Sequence, residues 1–275
     1  MNDEARREFI GLAAHEPVAL ARAALVIAKE EYPALDVDQY LERLAELGRE
    51  AARWMGAATN TVEQVQALSR LLFEHHHFAG NQNSYGDPRN SFLNEVLERE
   101  LGIPISLSVV YIEVGRRAGL KLEGVSFPGH FLVKATDDRG ELIIDPFNQG
   151  TILNLEQLRT LLNQVYGQPV ELHPSMLRAA SSRQILSRML RNLKNVYVAA
   201  SDWMRAIAAL DRILILEPRS LEELLERAKL YETLECFQAA LDDLQSFLSI
   251  APDHPIAEAA REGVMRLARQ VSRIS

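Results

Sequence analysis

The sequence holds a single cysteine, Cys236, among 275 residues, so no disulfide can close within the chain. Also missing is any run of about eighteen apolar residues, the length that crosses a membrane. The opening stretch MNDEARREFIGLAAHEP has no apolar core of the kind a secretory leader needs. These absences predict a reducing, cytoplasmic setting without a membrane partner. Basic charge is scarce as well: 30 Lys and Arg face 38 Asp and Glu, the formal net charge is −8, and no Lys/Arg run interrupts the acidic surface. Such a surface repels a phosphate backbone, which argues against nucleic acid as a partner. The two tryptophans, Trp54 and Trp203, read as packing residues.

What is present is enough apolar material, 47% of the chain, to bury real cores in one large or two ordinary domains. Residues 1 to about 80 read as helical, because Leu41, Leu44, Leu47 and Val62, Val65, Leu68, Leu72 recur at spacings of three and four. The pattern breaks near Gly80 into AGNQNSYGDPRNS, a loop composition. Ser91 is the expected N-cap of the next helix, with Phe92, Val96 and Leu97 on one face and Gly102 at its end. Pro104 suits the first turn of a further helix through Leu107, Val110, Tyr111 and Val114 to Gly119. After Gly124 the period becomes that of a strand, VSFPGHFLVKAT, then a turn DDRG, then ELIIDPF. As a hairpin turning over Asp137 to Gly140, this pairs Thr136 with Glu141 and Leu132 with Asp145. His130 then falls one diagonal step from Asp145 on the same face.

From about residue 187 the chain repeats itself. Tyr197, Ala206, Leu210 and Pro218 recur thirty-four positions later as Tyr231, Ala240, Leu244 and Pro252, the period of tetratricopeptide repeats. Small alanines let paired helices approach and proline closes each unit. Residues 255–273, with Ala257, Ala260, Val264, Leu267 and Val271, are expected to cover the exposed end as a last helix. The predicted domains are residues 1–180 and 181–275.

His130 and Asp145 supply the base and its orienter, two parts of a nucleophilic triad. The third should open a packed helix, where the macrodipole lowers a thiol pKa, and the helix in question begins near Pro104. Here NSFLNEVLERELGIPISLSVVYIEVGRRAGL, then FPGHFLVKA and LIIDPFNQG, then the repeats, resemble the SirB-type branch of transglutaminase-like proteins. The resemblance covers roughly residues 60–273 and implies an α+β fold: a papain/transglutaminase-like core with a helical N-terminal region, followed by an all-α repeat domain. In active transglutaminase-like proteins a cysteine opens the helix, a histidine begins the next strand and an aspartate ends the one after. The histidine carries over to His130 and the aspartate to Asp145. The cysteine does not carry over, since its place lies close to Pro104 and Cys236 sits inside the second repeat.

Ser106 and Ser108 are the nearest hydroxyls, and a serine is far harder to deprotonate than a thiol. Ser106 can instead satisfy helix-terminal N–H groups. Tyr85 and Asn90, with Asn81, Asn83 and Asp87, form a polar loop able to line a ligand pocket or to bond its own backbone. Arg191 and Asn195, four apart on the first repeat helix, can accept a partner's terminal carboxylate, although Glu226 at the matching place would repel it. His75, His76 and His77 are adjacent, and on an α-helix adjacent side chains cannot converge on one ion, so no metal and no cofactor is expected. The reading is a non-catalytic interaction protein that holds a protein or peptide through its repeat groove and core cleft. The alternative is a peptide or amide hydrolase or acyltransferase using Ser106 or Ser108 with His130 and Asp145.

Overall fold

Helical periodicity in the first eighty residues becomes four helices in the computed structural model, which describes residues 3–274: α1 (Asp3–Ala13), α2 (Leu20–Ala28), α3 (Val37–Trp54) and α4 (Thr61–Ser69). Two of them begin on polar caps. Asp36 accepts from the N–H groups of Asp38 and Gln39, and Asn60 from that of Glu63, so orphan amides of each first turn are satisfied. Helix α2 is apolar nearly all round and is buried along its whole length except at Arg22. Helix α4 continues into a π-helical turn over Arg70–His75.

Next come β1 (Ala79–Gly80), α5 (Leu93–Arg99), β2 (Leu101–Gly102) and α6 (Pro104–Arg117). The cap and stop of α5 differ from expectation. Ser91 closes a short 3-10 turn over Pro88–Asn90 with helical φ and ψ, so Phe92 is the N-cap. At the other end Glu100 turns left-handed at φ 58, which frees Gly102 to pair in parallel with Gly80. Helix α6 is the centre of this unit, buried from Pro104 through Gly115. Its Tyr111 hydroxyl donates to the Val65 carbonyl at 3.1 Å and lies 3.0 Å from Ser69 Oγ. Burial raises that phenol far above its ordinary pKa, so it stays a neutral donor.

Against α6 lies a sheet of β3 (Leu122–Val125), β4 (Leu132–Asp137), β5 (Gly140–Asp145) and β6 (Thr151–Leu153), with α7 (Leu155–Tyr166) between β6 and β7 (Ala179–Ala180). The order is β6-β5-β4-β3-β7 and every neighbouring pair is antiparallel. The β4–β5 register pairs Thr136 with Glu141 and Asp137 with Gly140, as the alternation implies. The predicted strand from Val125 to Thr136 is broken, because Pro128 lacks an N–H and Gly129 adopts φ 65. His130 therefore stands in a turn before β4 rather than within a strand.

The chain divides into units of residues 1–189 and 190–275, and α8 (Ser182–Ala199) runs across that division. The second unit continues with α9 (Trp203–Leu216), α10 (Leu221–Thr233), α11 (Phe237–Ile250) and α12 (Ala257–Ile274). The repeat reaches the backbone as well as the side chains. Ser201 and Glu235, thirty-four residues apart, are both left-handed at φ 57 and 56 where one helix turns into its partner. Ala206, Leu210, Ala240 and Leu244 are all buried. Between α9 and α11, Arg227 of α10 pairs with Asp211 and, through two hydrogen bonds of 2.9 and 2.6 Å, with Asp243. Both carboxylates are about 5% exposed. Among the described residues no helix is long and apolar enough to cross a membrane.

Removing one cation from that trio leaves two buried carboxylates without it. Arg227→Ala is expected to destabilise the second unit by about 3–5 kcal/mol, read as early loss of amide protection in α10 and α11 during denaturant titration.

Candidate functional site

The turn that presents His130 is built by local chemistry. Pro128 and Gly129 occupy its two central positions, Gly129 at φ 65, and the His130 N–H donates to the Phe127 carbonyl at 3.1 Å. Proline followed by a left-handed glycine is the signature of a type II turn. Arg188 on α8 holds the turn from outside. Its guanidinium donates to Ser126 Oγ at 2.7 Å, to the Phe127 carbonyl at 3.2 Å and to the His130 carbonyl at 2.8 Å. It also lies 5.5 Å from the centroid of the Phe131 ring, close enough for a cation–π contact. Burial pulls this guanidinium below its usual pKa, with Tyr85 opposing, yet an arginine remains a cation.

Asp145, the last residue of β5, takes four hydrogen bonds. Its Oδ1 accepts from His130 Nε2 at 2.9 Å and from the N–H groups of Phe147 and Asn148 at 3.1 and 3.3 Å. Its Oδ2 accepts from Asn148 Nδ2 at 2.6 Å. The side chains of His130 and Asp145 are 14% and 1% exposed. An ionised carboxylate only accepts, so Nε2 is the donor in this bond; Nδ1 makes no hydrogen bond among the described residues and, in the neutral ring, is an acceptor. This is the orientation a general base requires.

Around the imidazole lies an aromatic wall. Phe147 stands edge-on to His130 and to Tyr85, with ring centroids 6.0 and 6.4 Å apart. Its ring lies so close to Gly80 that a Cβ there would collide with it at 2.5 Å, which explains the glycine. Tyr85 is half-exposed, and burial raises its phenol pKa against the opposing charge of Arg188. Phe147 and Arg188 were not legible as site residues. Phe147 follows Asp145 by two positions, a proximity that could have drawn notice, whereas Arg188 lies on a distant helix with no local signal.

The two serines of α6 face other tasks. Ser106 is fully buried; its Oγ accepts from the Ile103 N–H at 3.0 Å and lies 2.6 Å from the Asn90 carbonyl, to which it donates. Gly102 makes room for it, since a Cβ there would stand 2.7 Å from Ser106 Oγ. Ser108, equally buried, has its Oγ 3.4 Å from the Phe131 carbonyl. Neither hydroxyl hydrogen-bonds His130 among the described residues. Asn90 is buried too: its Oδ1 accepts from Asn81, and its Nδ2 donates to the carbonyls of Ser84 and Tyr85 at 2.8 and 3.3 Å. Asn90 thus closes the polar loop beneath Tyr85.

In the second unit, Arg191 donates to Glu223 at 2.7 Å and to Glu217 at 2.6 Å, and Lys194 pairs with Glu226 at 2.6 Å. Burial alone would lower the Arg191 pKa, but the two carboxylates raise it. Asn195 is exposed beside them. A ligand carboxylate at Arg191 would therefore compete with two internal ones. Cys236 is exposed at the N-cap of α11.

Comparison with known proteins agrees with this division. A transglutaminase-like superfamily model matches residues 38–191, and a tetratricopeptide-repeat model matches residues 193–265. A UPF0162 protein of Xylella fastidiosa is 42% identical over 247 residues, covering 86% of this chain and 85% of that protein. The UPF0162 protein PA3419 of Pseudomonas aeruginosa is 34% identical over 90% of each chain. Protein SirB1 of Salmonella typhimurium is 26% identical over 90% of this chain and 92% of its own.

The bonds at Asp145 are unevenly shared, and stability should reveal it. Asp145→Ala strands two partly buried main-chain amides, an imidazole and the Asn148 side chain, and is expected to cost about 3–5 kcal/mol. His130→Ala removes one bond from a partly exposed ring and is expected to cost about 1–2 kcal/mol, both read from urea unfolding.

Proposed function

This chain belongs to the transglutaminase-like superfamily, in the branch of SirB1 and the UPF0162 proteins where tetratricopeptide repeats follow the core, and from that premise we propose that it is a non-catalytic interaction protein. The observation that carries this reading is Ser106. Standing on the first turn of the helix where the resemblance calls for a thiol, its hydroxyl is buried and bound only to main-chain groups among the described residues: the Ile103 N–H, the Asn90 carbonyl and, at 3.2 Å, the Ile103 carbonyl. A hydroxyl held that way would have to surrender a 2.6 Å bond before it could meet a base. It would also need a proton removed that is many orders of magnitude less acidic than a thiol's.

On this reading the imidazole is a fixed acceptor. A peptide segment lying over Tyr85 and Phe147 donates a backbone N–H to His130 Nδ1, while Arg188 keeps the turn rigid beneath it. Tetratricopeptide repeats generally bind proteins, so the second unit contributes its own surface, centred on the exposed Asn195 rather than on the neutralised Arg191. The free Nδ1 is also what a general base would offer, which favours the amide hydrolase or acyltransferase as the second reading.

One pair of measurements separates them. Purified wild type and His130→Ala are expected to give the same background turnover on peptide amides and the same absence of labelling by a serine-reactive fluorophosphonate. With a partner isolated from extract and then repurified, Tyr85→Ala and His130→Ala are each expected to weaken binding about tenfold, the scale of one lost aromatic or hydrogen-bond contact. Labelling at Ser106 or Ser108 that vanishes in His130→Ala would establish the hydrolytic reading instead.

A further inference from the structure

Adjacent side chains on an α-helix point about 100° apart, which is why three histidines in a row are not expected to share an ion. That premise fails here, because α4 passes into a π-helical turn over Arg70–His75. His76 follows it with its N–H on the Leu71 carbonyl at 2.9 Å, and His77 reverses the backbone at φ 59. In the wider turn the rings of His75 and His76 stand at 80° to one another with centroids 5.0 Å apart. Both present Nε2 to a single carboxylate, Glu50 of α3. His76 Nε2 lies 2.7 Å from Oε2, and His75 Nε2 lies 3.6 Å from Oε1. One ligand atom from each of the three residues falls within 4.8 Å of the others.

Hydrogen bonding explains only half of this. The His76 contact is a good bond, but 3.6 Å is too long for one. Nothing about an isolated His76–Glu50 pair requires a second imidazole on the other carboxylate oxygen. If both rings were protonated they would repel each other. Single π-helical turns are rare and accompany functional sites, and this one has its effect on the two histidines.

We infer that Glu50, His75 and His76 bind one divalent transition-metal ion of the zinc class. Two neutral imidazoles and a carboxylate are its characteristic protein donors, and three of them leave a fourth position open to water. Bonds of about 2.0–2.2 Å at tetrahedral angles place donor atoms about 3.3–3.6 Å apart; the His75 contact of 3.6 Å already matches this, and the His76 contact of 2.7 Å has to open by less than about 1 Å. The ion takes the place of the hydrogen bond between His76 and Glu50. Trp54, one helical turn beyond Glu50 on α3, sets its ring 5.5 Å from that of His75 and covers one side of the cluster. Such an ion clamps α3 to the end of α4, elements that otherwise meet through side-chain packing and this one carboxylate.

The full chain, prepared without a polyhistidine tag and stripped by chelator, should take up one equivalent of zinc chloride in a calorimetric titration. Cobalt in its place should give the strong visible bands of a tetrahedral site. His75→Gln and Glu50→Gln are expected to weaken zinc binding at least tenfold and to abolish those bands, while His77→Gln leaves both unchanged. His75 is 55% exposed, so its variant folds even if substitution at Glu50 or His76 does not. Absence of stoichiometric uptake, or weak uptake equal in wild type and His75→Gln, would mean adventitious surface binding only and would overturn the assignment.

Discussion

A carboxylate taken out of water must have every lone pair answered, and Asp145 is where this core meets that demand. Four donors converge on it: an imidazole from the turn before β4, two main-chain amides from the turn after β5, and the Asn148 side chain. Together they tie the turn before β4 and the turn after β5 to the end of one strand. The imidazole is held through Nε2 as a result, and Nδ1 makes no hydrogen bond among the described residues. Phe147, carried by the same turn, is pressed against Gly80 and becomes the wall of the cleft. The arrangement that would make a base in an active relative is thus also what folds the loop.

The hydroxyl on the first turn of α6 serves the structure of the core. Ser106 links the start of α6 to Asn90, and Asn90 in turn closes the loop from Asn81 to Tyr85. A polar chain of this kind in a dry interior holds only if each member is satisfied. The helix dipole that would sharpen a thiol at this position acts here on a hydroxyl already in use.

Legibility in the sequence followed the range of the interactions. The β4–β5 register could be read because a two-residue turn and alternating side chains fix it locally, and with it the meeting of His130 and Asp145. The thirty-four-residue repeat was equally plain, because each period is one self-contained helical pair. The α5 boundaries were misplaced by a residue or two, since a 3-10 turn claimed Ser91 and a glutamate took the left-handed position in place of glycine. The parallel β1–β2 pair, the two-residue strand β7 and the clasp of Arg188 depend on contacts between distant segments that no periodicity records. The π-helical turn had no signature at all, and the convergence of His75 and His76 on Glu50 was hidden with it.

The central claim is that the buried carboxylate, and not the histidine, organises this corner of the core. Amide hydrogen exchange at Phe147 and Asn148 tests it most directly. The account predicts that both amides stay protected in His130→Ala and exchange at least about a hundredfold faster in Asp145→Ala, under conditions where the rest of the sheet keeps its protection. Equal loss of protection in the two variants, or none in Asp145→Ala, would contradict it.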